Sequence, residues 1–256
     1  MYDDAQANLI ARHYDAAYAV LREPSGDAAF YLHLARESRG CVLELGCGTG
    51  RILLPIAREG IDCVGVDASA AMLHVLREKD PPSNLTLVEG RMEELDLLLA
   101  GEGLEPGSFA LVTAPFRVLS HLLDVESQLT TLAAIRRQLA LGGRFAFDLF
   151  DPKLDRIALA LEPEHLDATF TQEGATVRRF VTVRRDHSAQ VMTALFRFES
   201  DRRELEGTAE LQMRWFYRYE LEHLLARAGF AHVELFGAFD RRPWVAGGET
   251  VVVAET

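Results

Sequence analysis

Basic residues and cysteines are both scarce in this sequence of 256 residues. Lys and Arg number 27 against 39 Asp and Glu, and the resulting net charge of −12 argues against a phosphate backbone as the main partner. The three cysteines, Cys41, Cys47 and Cys63, are too few and too scattered for a disulfide framework. The sequence also lacks a Cys-x-x-Cys pair and a His pair at ligand spacing, so we expect no metal site.

Long apolar runs and a secretory leader pattern are missing as well. No run approaches the roughly 18 residues that a membrane helix needs. The first residues, Met1-Tyr2-Asp3-Asp4, lack the basic-then-apolar order of a signal peptide. We therefore expect a cytoplasmic protein with reduced thiols and no membrane partner. Apolar residues make up 48% of the chain and charged residues 26%, a balance that predicts an ordinary globular core.

The order of apolar and polar residues predicts an α/β fold. Short apolar strands alternate with amphipathic helices over residues 41–150, which is typical of a Rossmann-like, mostly parallel sheet with helices on both faces. Four strand-like runs without intervening helices then predict an inserted antiparallel β-meander. We expect a helical N-terminal cap at 1–40, a core domain at 41–160 and 216–256, and an insertion at 161–215.

Capping residues set the predicted helix boundaries. Ser69 and Asp124 are the expected N-caps of two core helices. The second of these helices is predicted to run through Leu139 and to stop at the Gly142-Gly143 pair.

The segment 42–51, Val-Leu-Glu-Leu-Gly-Cys-Gly-Thr-Gly-Arg, is the most informative one. A strand that runs into alternating glycines and then a helix presents backbone N–H groups and the positive end of a helix dipole to a ligand. A dinucleotide loop has the spacing G-x-G-x-x-G, whereas Arg51 stands here in place of the third glycine, which counts against a nicotinamide cofactor. Asp67, at the end of the next strand, can accept both hydroxyls of a ribose. The plain alternative is that the glycines and Asp67 only cap helices.

The run Glu44-Leu45-Gly46-Cys47-Gly48-Thr49-Gly50, followed by Gly65-Val66-Asp67, resembles the cofactor half of class I S-adenosylmethionine-dependent methyltransferases. The resemblance covers about residues 41–150 and resumes from about 216. It implies S-adenosylmethionine as cofactor and a seven-stranded sheet whose last hairpin contains one antiparallel strand. The cofactor-binding residues that it implies are Glu44, Gly46, Cys47, Gly48, Thr49, Gly50, Arg51, Asp67, Ala68, Met72, Gly90, Arg91, Met92, Ala114 and Phe116.

The resemblance also implies which residues contact each part of the cofactor. The glycines surround the methionine part, Glu44 lies behind the loop, and Asp67 binds the ribose. Ala68 and Met72 flank the adenine. In the family, an acid often follows this glycine and accepts a hydrogen bond from the adenine amine, whereas this sequence has Arg91 there. Backbone carbonyls or Glu89 are the alternative acceptors for that amine.

The methyl acceptor is indicated by residues 113–121, which follow the fourth strand. This segment is not Asn/Asp-Pro-Pro-Tyr, the pattern of enzymes that methylate exocyclic base amines. It is similar to small-molecule N- and O-methyltransferases, including those that act on amino sugars and glycine-like amines. Tyr14 and His121 match a helix tyrosine and a histidine of the amino-sugar group. We expect Tyr14 to close over the cofactor and His121 to take the acceptor's proton; packing roles are the alternative for both.

Other functions remain open on the sequence alone. A non-catalytic protein with the same cofactor fold, a tRNA or protein methyltransferase and, more distantly, an NAD-dependent oxidoreductase are the alternatives. The acidic balance makes nucleic acid an unexpected partner. The insertion is rich in arginine, which indicates either a solvated sheet face, or a lid or homodimer surface that tolerates an anionic acceptor.

Overall fold

The computed structural model describes residues 4–21 and 26–256 and contains two β-sheets. None of the helices in this part of the chain is long and apolar enough to cross a membrane. The strands are β1 Cys41–Leu45, β2 Cys63–Asp67, β3 Leu85–Glu89, β4 Phe109–Ala114, β5 Leu139–Phe150, β6 Leu161–Gln172, β7 Ala175–Asp186, β8 Val191–Ser200, β9 Gly207–Arg214, β10 His232–Phe236 and β11 Glu249–Glu255. The helices are α1 Asp4–Leu21, α2 Asp27–Ser38, α3 Leu53–Arg58, α4 Ala70–Arg77, α5 Leu95–Gly101, α6 Val125–Gln138, α7 Leu154–Ile157 and α8 Arg218–Ala228.

The larger sheet has seven strands in the order β10-β11-β5-β4-β1-β2-β3. Strand β11 runs antiparallel to both of its neighbours, and the pairings among β1 to β5 are parallel. The prediction of a mostly parallel seven-stranded sheet with one antiparallel strand is therefore confirmed. Strand β1 pairs with β2 on one side and with β4 on the other, so the chain reverses its winding direction at β1. In such sheets ligands bind beyond the carboxyl ends of the strands at this point.

One predicted boundary is wrong, because α6 ends at Gln138 and not at the glycine pair. Leu139 pairs with Phe109 and Arg144 pairs with Leu111, so residues 140–143 loop out of the strand ladder. Leu139 is buried at the start of β5. An apolar residue at this position fits the helical spacing of α6 and a buried strand equally well, so the spacing alone did not locate the helix end.

The smaller sheet is antiparallel, in the order β6-β7-β8-β9. One of its faces is apolar and packs on α1, with Phe170, Val177 and Phe196 around Ala17. Strand β6 begins at Leu161, although residues 161–166 are mostly exposed. Backbone pairing with β7, rather than burial, keeps these residues extended.

His13 anchors α1 to this sheet. Its ring is 1% exposed, stacks on Phe198 with 4.7 Å between the ring centroids, and donates from Nε2 to the carbonyl oxygen of Leu205 at 3.0 Å. Its Nδ1 has no hydrogen-bond partner within the described residues. Burial lowers the pKa of His13, which opposes its protonation.

We expect this anchor to make stability depend on pH. A histidine with a lowered pKa binds fewer protons when folded than when unfolded, so its contribution is lost as the pH falls below about 6.5 towards the folded-state value. The slope is at most about 1.4 kcal/mol per pH unit for one proton. Urea unfolding of the wild-type chain and of His13→Leu at several pH values between 5 and 8 measures it. Equal slopes for the two proteins would contradict the assignment.

Candidate functional site

The loop after β1 has three glycines at positive φ, and the residues around them differ. A Cβ atom added to Gly46 would lie 2.5 Å from Cγ2 of Val118, and one added to Gly50 would lie 2.2 Å from Cδ1 of Leu76. At Gly48 the nearest heavy atom among the described residues is the oxygen of Gly46 at 3.9 Å. Gly46 and Gly50 thus allow close packing within the protein, whereas Gly48 borders open space where a ligand can approach.

Asp67 lies at the carboxyl end of β2, next to this loop. Its Oδ2 accepts a hydrogen bond from the backbone N–H of Gly48 at 2.7 Å, and its Oδ1 accepts one from Ser69 at 2.8 Å. Burial raises the pKa of Asp67, and the two backbone hydrogen bonds oppose that effect. The glycine loop and the carboxylate, which the sequence suggested separately, therefore form one unit.

Glu44 and Arg51 lie at the two ends of the loop, and the charge of Arg51 acts on the Glu44 carboxyl. Burial raises the pKa of Glu44 well above its usual range, although the positive charge of Arg51 and a hydrogen bond from Thr113 act against this. Arg51 pairs with the buried Asp27 at 2.8 Å, and its guanidinium carbon lies 5.2 Å from the ring centroid of Phe116. The loop is therefore linked to α2 and to the segment after β4.

A second cluster fastens α1 to the loop. The hydroxyl of Thr49 donates to Oδ1 of Asp15 at 2.6 Å, and Lys79 forms an ion pair with Oδ2 of Asp15 at 2.5 Å. The same Lys79 amine donates to the backbone oxygen of Thr49 at 2.8 Å. These contacts hold α1, and hence Tyr14, over the edge of the glycine loop.

The turn after β4 is strained and is held by a buried acid. Phe116 and Arg117 have φ values of 61° and 65°, which cost roughly 1–2 kcal/mol per non-glycine residue. Oδ1 of Asp148 accepts hydrogen bonds from the Phe116 backbone and from the hydroxyl of Tyr31, both at 2.8 Å. Strain of this kind persists where the surroundings impose it, and it is common at functional sites. The fixed turn points to Phe116 as part of the site.

Aromatic rings of α1 meet Phe116. The Tyr18 ring is 4.9 Å from the Phe116 ring in a T-shaped contact, and the Tyr14 ring is 6.4 Å from it. Tyr14 and Tyr18 are also in contact, at 4.6 Å between centroids. The prediction for Tyr14 missed Tyr18, although a second tyrosine four residues later on the same helix face was an available signal.

His121 ends a 3-10 turn, Val118–His121, that faces the smaller sheet. Its Nδ1 lies 3.3 Å from the backbone oxygen of Gln212 in β9. Burial lowers the pKa of His121, although part of the residue is exposed to solvent. A carbonyl oxygen can only accept, so Nδ1 is the donor and Nε2 of the neutral ring keeps its lone pair.

The residues suggested for the adenine end lie on the other side of Asp67. Gly90 donates to the backbone oxygen of Asp67 at 3.0 Å, Ala68 is exposed, and Met72 is half-buried. Arg91 is engaged by Glu93 in an ion pair. Gly90 and the exposed face next to Asp67 are therefore adjacent, whereas the Arg91 charge is directed to a neighbouring acid.

Several arginines of the insertion are paired with acids. Arg197 pairs with Glu164 at 2.6 Å, and Arg178 pairs with Glu199 at 3.2 Å on the same exposed face. Arg117, which lies after β4 and outside the insertion, is likewise 3.3 Å from an acid, Glu249. These pairs favour the solvated-face interpretation over an anion site.

Comparisons with known proteins agree with this geometry. The sequence profile of a family described as "Methyltransferase domain" matches residues 42–143. The solved structure of the CcbJ methyltransferase from Streptomyces caelestis is similar with a TM-score of 0.73 and 28% identity, over 91% of this chain and 96% of that one.

Two curated relatives match a smaller part of the chain. A cypemycin N-terminal methyltransferase from Streptomyces sp. is 30% identical over 140 residues, which is 54% of either chain. A ubiquinone biosynthesis O-methyltransferase from Cereibacter sphaeroides is 31% identical over 120 residues, 47% of this chain and 45% of the relative. The matches thus span about half the length of these two relatives.

Proposed function

We propose that this chain, a class I S-adenosylmethionine-dependent methyltransferase, transfers a methyl group to a nitrogen or oxygen atom of a small-molecule acceptor. The hydrogen bond from Gly48 to Asp67 carries the cofactor part of the proposal, because it joins the open glycine loop and the carboxylate in one unit. One curated relative is named as an N-terminal methyltransferase and the other as an O-methyltransferase. The proposal therefore covers both nitrogen and oxygen acceptors.

The residues at the loop fit this cofactor. Gly48 leaves space for its methionine part, and Asp67 offers a carboxylate oxygen to the ribose hydroxyls. When bound, S-adenosylmethionine supplies a methyl group on a positively charged sulfur, open to in-line displacement by a lone pair. The ring of Phe116 packs against the tyrosines of α1, and in the proposed complex these rings exclude water and orient the acceptor.

His121 is the proposed proton acceptor. With the cofactor bound, the acceptor's lone pair would form the new bond to the methyl carbon, the electrons of the carbon–sulfur bond would stay on sulfur, and His121 would take the proton that the acceptor loses. Nε2 of His121 has a free lone pair because Nδ1 faces the Gln212 carbonyl, and the lowered pKa keeps the ring neutral at pH 7.

We expect His121→Ala to lower kcat about 100-fold or more, the usual contribution of a positioned base, with an unchanged affinity for S-adenosylhomocysteine. Tyr14→Phe should raise KM for the acceptor and leave the affinity for S-adenosylhomocysteine intact. Steady-state formation of S-adenosylhomocysteine and calorimetry measure the two effects. Unchanged turnover in both variants would assign the two side chains to packing.

The proposal is tested by transfer of labelled methyl. The purified chain is incubated with methyl-labelled S-adenosylmethionine and fractionated extracts of metabolites, and label is followed into small molecules, tRNA and protein. Label in a small molecule supports the proposal. Label only in tRNA or protein overturns the acceptor class, and binding of S-adenosylhomocysteine without any transfer indicates a non-catalytic protein.

A further inference from the structure

Asp15, Thr49 and Lys79 form a cluster in which each residue contacts the other two. The Thr49 hydroxyl donates to Oδ1 of Asp15 at 2.6 Å, and Oδ2 of Asp15 pairs with the Lys79 amine at 2.5 Å. That amine also donates to the backbone oxygen of Thr49 at 2.8 Å. Asp15 lies in α1, Thr49 in the glycine loop, and Lys79 just after α4. The Asp15–Thr49–Lys79 cluster therefore joins three elements at one point.

The cluster is next in sequence to both halves of the candidate site. Thr49 follows Gly48, where the nearest described atom to an added Cβ is 3.9 Å away, so the loop is open to a ligand there. Asp15 follows Tyr14, whose ring lies 6.4 Å from the Phe116 ring. The cluster thus adjoins the proposed cofactor surface through the loop and the aromatic contact of the site through α1.

Helix α4 connects the cluster with the cofactor carboxylate as well. At its start, the backbone N–H of Ser69 donates to Oδ1 of Asp67 at 2.8 Å. Near its end, Leu76 packs on Gly50, where an added Cβ would lie 2.2 Å from the leucine Cδ1. The Lys79 N–H donates to the Leu76 oxygen at 3.1 Å. A ligand that holds Asp67 and the loop therefore also restricts the two elements to which α1 is attached.

Helix α1 is held by the insertion too. Arg12 pairs with Glu173 at 2.6 Å, and Ala17 packs among apolar side chains of the smaller sheet. Opening of the Asp15–Thr49–Lys79 cluster therefore leaves the helix attached on that side. Both Asp15 and Lys79 are partly exposed, and an ion pair of this kind contributes little stability by itself. A modest change in the loop is therefore enough to decide whether the cluster is closed.

We propose that Asp15 and Lys79 are positioning residues that make the placement of α1 depend on the cofactor. A bound cofactor holds the loop and α4, so Thr49 and Lys79 lose less conformational freedom when they bind Asp15. The closed cluster then fixes Tyr14 beside Phe116, on the proposed acceptor side. The inference rests on the proposed function, because it takes S-adenosylmethionine as the occupant of the loop.

The coupling acts in both directions. If an occupied loop favours the closed cluster by a given factor, the closed cluster strengthens cofactor binding by the same factor. Loss of the cluster should therefore weaken binding of S-adenosylhomocysteine by no more than this factor, about 10-fold, which is typical of coupled sites. Removal of the Asp67 carboxylate should cost more, because that group contacts the ligand itself.

Hydrogen exchange of the α1 amides, followed by mass spectrometry, measures the coupling without any acceptor. The wild type, Lys79→Met and Asp15→Ala are compared in the free state and saturated with S-adenosylhomocysteine. Saturation should slow exchange in α1 about 10-fold in the wild type and less than about 2-fold in either variant. A cluster with a purely structural role would instead raise exchange by the same factor in both states.

Arg58→Met is the matched control. Arg58 donates from Nη2 to the backbone oxygen of Lys79 at 3.0 Å, so its loss removes a contact of the same residue that does not involve α1. This variant should keep the wild-type protection of α1. Asp15→Ala places a good helix former at a partly exposed helix position, and so provides a folded variant if Lys79→Met is unstable.

Exchange and binding together separate this inference from the proposed function. No protection of α1 in the saturated wild type, or equal protection in the wild type and the folded variants, would overturn the inference. If calorimetry detects no binding of S-adenosylhomocysteine to the wild type, the cofactor assignment fails and the coupling fails with it. Binding that protects α1 as expected, without methyl transfer in the labelling assay, counts against the reaction alone.

Discussion

Replacing Asp67 with Ala is expected to weaken binding of S-adenosylhomocysteine by about 100-fold or more. Two ribose hydroxyls lose charge-assisted hydrogen bonds, each of which contributes about 1.5–3 kcal/mol. The same change frees the N–H of Gly48, which Asp67 holds at 2.7 Å, and so loosens the loop. Calorimetry measures the affinity.

Ser69→Ala is the matched control for Asp67. Ser69 caps α4 by accepting from the backbone N–H of Met72 at 3.3 Å, so its loss costs about 1 kcal/mol of stability without removing the carboxylate. Asp67→Asn keeps a side-chain oxygen that can accept from the Gly48 N–H. Its affinity for S-adenosylhomocysteine should lie between those of Asp67→Ala and Ser69→Ala. If Asp67→Ala and Ser69→Ala bound S-adenosylhomocysteine equally well, the carboxylate would have no part in the cofactor site.

The affinity should also depend on pH through Asp67. Because burial raises its pKa, the carboxylate is protonated at a higher pH than in a solvated Asp. Ribose hydroxyls prefer the charged form, so the affinity is full above the raised pKa and declines as the pH falls through it. This decline should be absent in Asp67→Asn.

Gly50→Ala is expected to reduce the free energy of unfolding by about 2–5 kcal/mol. The added Cβ would lie 2.2 Å from Cδ1 of Leu76, which is fully buried, and 3.3 Å from Cβ of Leu54. The φ of +82° adds roughly 1–2 kcal/mol of backbone strain to about 1–3 kcal/mol of overpacking. Urea unfolding measures the loss.

Gly48→Ala is the contrasting variant on the same loop. Its Cβ meets no described atom closer than 3.9 Å, so only the backbone cost of roughly 1–2 kcal/mol applies. The methyl group instead enters the open space beside the loop and should weaken S-adenosylhomocysteine binding. If Gly48→Ala and Gly50→Ala reduced the free energy of unfolding by the same amount, the close packing of Leu76 on Gly50 would not be what requires glycine at position 50.

The parts of the candidate site that are local in the chain could be located from the sequence. The strand Cys41–Leu45, its glycines and Asp67 follow each other across one strand–helix–strand crossover, where periodicity and turn residues carry the information. The seven-stranded topology followed from the resemblance of these motifs to a known family. The boundary at Leu139 was missed because an apolar residue at that position satisfies both structures.

The contacts that sequence reasoning missed join distant parts of the chain. Asp148 meets Tyr31 across 117 positions, and the only signal was a single acid within the apolar strand Arg144–Phe150. Arg179 looked like one more arginine of a solvated sheet face, because alternation alone does not show which face packs on α1. Arg179 pairs with Asp167 between strands β6 and β7, whose pairing contains two register shifts. The residue opposite Arg179 therefore could not be counted off from the turn.

Two of the contacts that attach α1 to the rest of the chain respond differently to salt. At the glycine loop, Asp15 and Lys79 form an ion pair with side chains 48% and 31% exposed, which dissolved salt weakens. At the other sheet, His13 is held by aromatic packing, which charge screening does not weaken and which a sulfate or phosphate salt strengthens. Rising ionic strength should therefore weaken the Asp15–Lys79 attachment of α1 at the glycine loop more than its attachment at His13.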